Sequence, residues 1–346
     1  MSVRIGIGLF TGQIPSGSDR SFQREYQETL DMVRLAEALG FDSAWVSEHH
    51  GASDGYLPSL LVMLGAFAAA TERILLGTGV VLTPFHDPIR LAEDAAVVDQ
   101  LSGGRLIVGL GLGWREEEFR MFGVPVRERL QRTVETVEVL RRAWTGRRFS
   151  FQGRSFRYDQ VRVTPPPARP GGPLLFLGGY TERAIRRAGR LGDGYITDAE
   201  ALTEVQPSMG LFDEGAREAG KDPRAMGLAL LQNVFVARAG GPGAWETARP
   251  GVTHQLGAYT AWDAGADTPG ADQLAPTVDD DETLRASTIA GTPDEVTHGL
   301  RPLVTAFGDR DLHLIVRLHY PGMDLETARS AMELFAEEVL PGLKGD

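Results

Sequence analysis

The chain has 346 residues, 42% hydrophobic and 24% charged, with a formal net charge of −12. This is an ordinary globular composition, and its acidity argues against a nucleic-acid partner, which selects basic patches. The absence of cysteine excludes disulfides, thiolate nucleophiles, iron–sulfur clusters and cysteine-ligated zinc.

In chain order, short apolar runs alternate with longer helical patterns. Val3–Phe10 reads as a first strand, with no charged n-region and long apolar h-region at the start, so a cytoplasmic protein is expected. Residues 22–39 carry Phe22, Tyr26, Met32, Val33, Ala36 and Leu39 on one helical face, closed by Gly40. A second strand over 43–47 precedes a helix over 58–70, which is apolar but too short to span a membrane. A third strand covers 74–82. A helix over 88–101 starts at Pro88 and stops at Gly103-Gly104. A fourth strand covers 106–110, and residues 129–144 are helical.

The rhythm then breaks. Residues 149–163 suggest a hairpin around Gln152-Gly153, and TPPPARPGGP over 164–173 is a linker. Strand five (174–177), a helix (181–191), strand six (194–197) and strand seven (227–237) follow. Residues 239–281 are rich in Gly, Pro, Ala, Asp and Thr, and such long loops in compact enzymes are usually lids or disordered. Thr292-Pro293-Asp294-Glu295 is a capping box. Strand eight covers 312–318, and a last helix runs from about 324 to 339. Eight strand–helix repeats predict one (β/α)8 barrel over 1–346, with insertions at about 146–173 and 239–285.

In this fold chemistry sits just after each strand. Phe10 ends strand one and is a candidate pocket wall. Glu48-His49-His50 follows strand two. Histidine suits general-base work near neutral pH, against a bland reading as surface histidines. A metal site is disfavoured, because neighbours on a strand point to opposite faces and no metal-ligand spacing is present. Thr78-Gly79 marks either close approach of a planar group or tight strand packing. Gly109-Leu110-Gly111-Leu112-Gly113-Trp114 fails the dinucleotide fingerprint, since a third glycine would be needed at Trp114. Gly111 and Gly113 instead clear room at the mouth, with Trp114 as a wall. Gly178-Gly179-Tyr180-Thr181 opens a helix and suits a phosphate, or is an ordinary turn capped by Thr181. His319 is a wall or a catalytic group.

Trp45-Val46-Ser47-Glu48-His49-His50 resembles the strand-two signature of the bacterial-luciferase-like flavin oxidoreductases. Further likeness lies in Thr71-Glu72-Arg73-Ile74 with Gly77-Thr78-Gly79, in 88–94, in 99–105, in Phe119-Arg120-Met121-Phe122-Gly123 and in Gly291-Thr292-Pro293-Asp294-Glu295-Val296. It covers almost the whole chain except 239–281. The resemblance implies a dimeric barrel using reduced FMN or the deazaflavin F420. It implies His49 as a base near the flavin ring, a cis peptide under the ring at Thr78–Gly79, and a phosphate loop at Gly178–Thr181, and Glu48 is a second catalytic candidate. The chain departs from luciferases at Leu112, where they place a phosphate-binding arginine. Its glycine run is similar to members that use F420, whereas Glu48-His49-His50 is similar to FMN monooxygenases. The leading expectation is a monooxygenase that takes reduced FMN from a separate reductase and, with O2, oxygenates a small organic substrate. F420-dependent hydride transfer is the alternative. A non-catalytic flavin-binding barrel is the reading from another class. No membrane partner is expected.

Overall fold

The protein is described by a computed structural model over residues 3–199, 202–240, 243–263 and 281–344. Among these residues, eight parallel strands close a barrel: β1 (Val3–Phe10), β2 (Ser43–Val46), β3 (Leu75–Thr78), β5 (Leu106–Gly111), β8 (Leu174–Gly178), β9 (Gly194–Asp198), β10 (Gly227–Val236) and β12 (Asp311–Arg317). Closure is made by β12 on β1, with Val3 opposite Leu312, and by β9 on β10, with Gly194 opposite Gly227. The short β4 (Val81–Leu82) continues the third-strand position beside β5, and β11 (Thr288–Gly291) extends the sheet beyond β10.

The helices between strands are α1 (Phe22–Ala38), α2 (Leu60–Ala70), α3 (Pro88–Ser102), α5 (Arg129–Ala143), α6 (Glu182–Leu191), α7 (Leu202–Glu218) and α10 (Pro293–Phe307). Caps set their starts. Ser21, Asp87 and Thr181 accept backbone N–H groups of the first turn, and Thr292 with Glu295 forms the expected capping box. The chain ends in α11 (Leu325–Leu334), a π-helical turn Phe335–Val339, and α12 (Leu340–Lys344).

Among the described residues, four α-helices before the last strand were not foreseen. The short α4 (Glu116–Met121) sits where β5 leaves the barrel, and α7 fills the span between β9 and β10. The third, α8 (Ala244–Asp263), lies in the stretch expected to be loop, followed after a gap by α9 (Asp281–Ala286). Pro250 and several glycines lower its helix propensity. Trp245, Ala248, Val252 and Gln255 are nevertheless buried at helical spacing. At Gly251 a Cβ would lie 2.4 Å from Tyr320 Cβ, so glycine here admits the helix against the β12 loop. The middle of the expected lid, residues 264–280, lies outside the described residues.

The hairpin of β6 (Phe149–Gln152) and β7 (Arg157–Val161) appears as expected. It hangs on Glu135 of α5, whose carboxylate accepts the backbone N–H groups of Arg154, Ser155 and Phe156 at 2.6, 3.0 and 2.9 Å.

The lumen is filled by Leu9, Trp45, Ile107, Phe176, Ile196, Ala229 and Ile315. Trp45 is the largest of them and has no exposed surface. A Cβ at Gly77 would lie 2.2 Å from its ring, and one at Gly8 2.5 Å from its backbone oxygen. Glycines on both neighbouring strands therefore make its room. His313 stands edge-on to Trp45 and Phe176, each at 5.9 Å. Burial pushes its imidazole down to about 3, with Arg4 adding to the effect and Asp42 opposing it.

His313 is therefore neutral in the fold but protonates near pH 6.5 when unfolded. Its native pKa is depressed, so the unfolded state binds the extra proton first. Stability is complete above pH 6.5 and is lost as pH falls from there toward 3. Urea unfolding at pH 7.5 and pH 5 should show a loss in wild type that is about 2 kcal/mol smaller in His313→Leu. Equal losses in both proteins would remove this assignment.

Candidate active site

The C-terminal strand ends gather two buried carboxylate–imidazole pairs. Glu118, on α4, has no exposed surface, and its Oε1 accepts from His49 Nδ1 at 2.9 Å and from the His50 backbone N–H at 2.8 Å. A carboxylate acceptor on Nδ1 keeps the proton there and leaves Nε2 as the basic nitrogen. Arg115 braces the arrangement. Its Nη1 donates to the His50 carbonyl at 3.1 Å and lies 3.7 Å from Glu118 Oε1.

Glu48 belongs to the second pair. It accepts from His50 Nε2 at 2.7 Å, His86 Nε2 at 3.1 Å and the Leu82 N–H at 3.1 Å. Burial opposes its ionisation, but the His50 and His86 hydrogen bonds prevail and hold the carboxyl at about 2. Glu48 and His49, the two catalytic candidates, thus belong to different pairs. Glu48 grips His50 and His86, and His49 is oriented by Glu118, a residue that the sequence hid in the charged run Glu116-Glu117-Glu118.

His49 is 4% exposed and enclosed by aromatic rings. Tyr56 meets it edge-on at 4.8 Å, Trp262 lies at 4.9 Å, Tyr259 at 5.4 Å and Trp114 at 6.3 Å. Tyr259 and Trp262 come from α8, so the segment read as a loop brings two of the four rings. Helix α8 is tied down by the Tyr56–Tyr259 hydroxyl pair at 3.0 Å and by His254 on Asp54 at 2.9 Å. The Arg115 guanidinium also lies 4.0 Å over the Trp262 ring.

Other expected residues divide. Trp114 lies at the mouth as a wall. His50 packs on Phe122 and Phe85 and does not share the His49 enclosure. Phe10 lies outside the pocket, buried against Phe67 of α2, while its neighbour Leu9 packs in the lumen. Thr78 also faces away, exchanging hydrogen bonds with the Gly109 backbone at 2.9 and 2.8 Å. The cis peptide expected at Thr78–Gly79 is at Gly79–Val80, one bond later. His319 is half-buried, with burial lowering its pKa and Glu25, Arg20 and Glu28 as its charged neighbours. It therefore faces the start of α1.

The glycines divide too. A Cβ at Gly109 would lie 2.1 Å from Thr78 O, one at Gly111 2.5 Å from Val80, and one at Gly179 2.6 Å from Ala184. Packing accounts for all three. Gly113 turns the chain with φ +68°. Gly178 differs, since a Cβ there meets nothing nearer than 3.5 Å. Thr181 caps α6 through the Ala184 N–H, and the Tyr180 ring is exposed with its hydroxyl on Asp198 at 2.6 Å. Among the described residues, no cluster could hold a metal ion and no helix is long and apolar enough to cross a membrane.

A closed parallel barrel with a buried base and its carboxylate at the C-terminal strand ends has the layout of a barrel enzyme. The model of the luciferase-like monooxygenase family matches residues 3–310, and the chain belongs to that family. It is 28% identical to an F420-dependent glucose-6-phosphate dehydrogenase of Nakamurella multipartita, over 92% of each chain. It is 27% identical to 4-hydroxyprotoasukamycin monooxygenase of Streptomyces nodosus subsp. asukaensis, over 99% of this chain and 93% of that one. The crystal structure of monooxygenase RslO1 from Streptomyces bottropensis superposes with a TM-score of 0.83 at 28% identity, covering 98% and 99% of the two chains. The protein is an oxidoreductase of the luciferase-like flavin or F420 class.

Glu118→Ala leaves the His50 N–H and His49 Nδ1–H without their acceptor. Denaturant unfolding should report a loss of about 2–3 kcal/mol. In Glu118→Gln, which keeps the shape, nitrogen-15 NMR should show His49 change from the Nδ1–H tautomer to a mixture. An unchanged single tautomer would mean that Glu118 does not set the proton.

Proposed function

We propose that the protein is a monooxygenase that uses reduced FMN and O2 on a small organic substrate. The observation that carries this reading is the His49–Glu118 pair, sealed under Tyr259 and Trp262. Reduced flavin supplies the electrons that activate oxygen. The chain's own task is then to move protons without admitting bulk water. His49 Nε2 accepts or returns a proton at the reacting centre, and Glu118 stabilises the imidazolium in between. The four rings around His49 exclude water, and α8 acts as their cover.

The mouth fits a phosphorylated cofactor at one place. The N–H groups at the start of α6 suit a phosphate, and Gly178 is the neighbouring glycine that packing does not require. Gly178, Gly179 and Thr181 would hold the phosphate end. Leu112 favours a second reading, F420-dependent hydride transfer, because it leaves FMN without a guanidinium. The extended likeness to an F420-dependent dehydrogenase supports that reading as well.

Side-by-side titration with reduced FMN and with F420 separates the two. Saturable binding of reduced FMN is expected, and Gly178→Asp should abolish it without changing the melting temperature, because the carboxylate repels the phosphate. Tight F420 binding with no affinity for reduced FMN would move the protein to the dehydrogenase branch.

The working unit is proposed to be a homodimer formed through α2 and α3. These helices leave Val62, Val97 and Leu101 at 75%, 47% and 57% exposure on their outer faces. Light scattering at micromolar concentration should give twice the chain mass, and a monomer would refute the assignment.

A further inference from the structure

After Asp311, strand β12 carries His313 and Arg317 in an apolar run, and its alternation shows where they point. His313 and Ile315 face the lumen, in contact with the Trp45 and Phe176 layer. Leu312, Leu314 and Val316 belong to the outer core between strands and helices. The period of two therefore turns Arg317 inward, one layer above Ile315, at the C-terminal strand end. Its register partner on β10 is Asn233, which is half-buried and inward-facing by the same alternation.

Arg317 is 3% exposed, and neither its Nε nor its Nη1 has a hydrogen-bond partner. It forms no ion pair with any described residue. A guanidinium does not escape burial by losing its proton, so a charge in this position is strongly unfavourable unless an anion completes it. Three tyrosine hydroxyls lie within its electrostatic reach. Burial raises the pKa of Tyr56, Tyr259 and Tyr320, and the Arg317 charge opposes that rise in all three. Tyr320 already donates to the Val234 carbonyl. Tyr56 and Tyr259 are bonded to each other and lie against His49. The guanidinium and the base thus share the same two rings.

We propose that Arg317 anchors a planar anionic oxygen group of the substrate, a carboxylate or an enolate, with the rest of the molecule held toward His49 between Tyr56 and Tyr259. This deepens the reading of the mouth as an active site and is independent of which flavin it uses. A planar cation with unpartnered N–H donors on its edges matches a planar anion whose oxygens accept hydrogen bonds.

The test uses the full chain with benzoate and benzamide, which share a shape and differ in charge, followed by Trp114 and Trp262 fluorescence. Benzoate should bind roughly tenfold or more tightly than benzamide. Arg317→Met should erase that preference, and Arg317→Lys should keep part of it. The Met variant should melt at or above wild type, since it loses an unpaired buried charge. Its affinity for reduced FMN should be unchanged. Equal binding of both probes, binding of neither, or a preference that survives in Arg317→Met would overturn the proposal. A lower melting temperature would make Arg317 a scaffold residue, and a selective loss of reduced-FMN affinity would assign it to the cofactor. Either result also overturns the proposal. The benzoate readout needs no flavin, so this inference and the cofactor reading stand or fall separately.

Discussion

A carboxylate with no exposed surface is the constraint around which this mouth is built. Burying an ion is unfavourable unless its lone pairs are met by donors, and Glu118 meets two donors of one dipeptide, the His49 ring and the His50 backbone. Those donors lie at the end of β2 and the acceptor lies on α4, so two parts of the barrel are fixed by one group. The same dipeptide then closes a second knot, because His50 turns its ring to Glu48 while His49 turns toward the aromatic enclosure. Adjacent residues on an extended chain face opposite ways, and here that property lets two neighbouring imidazoles serve different tasks.

Helix α8 belongs to the same construction. It reaches the mouth by passing Tyr320 at Gly251, and it ends by laying Tyr259 and Trp262 over His49. The enclosure is thus assembled from β2, the loop after it, the loop after β5, and a helix nearly two hundred residues further on. No single segment contains the site.

The barrel was legible in the sequence because its signals are local. Proline at Pro88, the capping box at Thr292 and the short apolar runs each mark one element, and their alternation gave the closed sheet. The strand-two histidines were also legible, since polar groups at a strand end have no packing reason. What escaped reading depends on distant pairing. Glu118 sits in a run of three acids that looks like a solvated helix start, and its partner is 69 positions away. Helix α8 was masked by composition, although its buried positions keep helical spacing. Arg317 did carry a local signal, the inward phase of an otherwise apolar strand, that a count of strand alternation would have found. The glycines carry two readings at once. Gly111 and Gly179 are demanded by Val80 and Ala184, so close packing accounts for them before any ligand does.

The hairpin after α5 is attached in a different manner from everything at the mouth. Its turn hangs on the single carboxylate of Glu135, which gathers three successive backbone N–H groups on the outer side of the barrel. A hairpin held by Glu135, Arg132 and Arg142 of α5 and by Asp87 at the start of α3, and followed by a proline-rich linker, is modular. It can lengthen, shorten or be exchanged by recombination while the barrel strands keep their register.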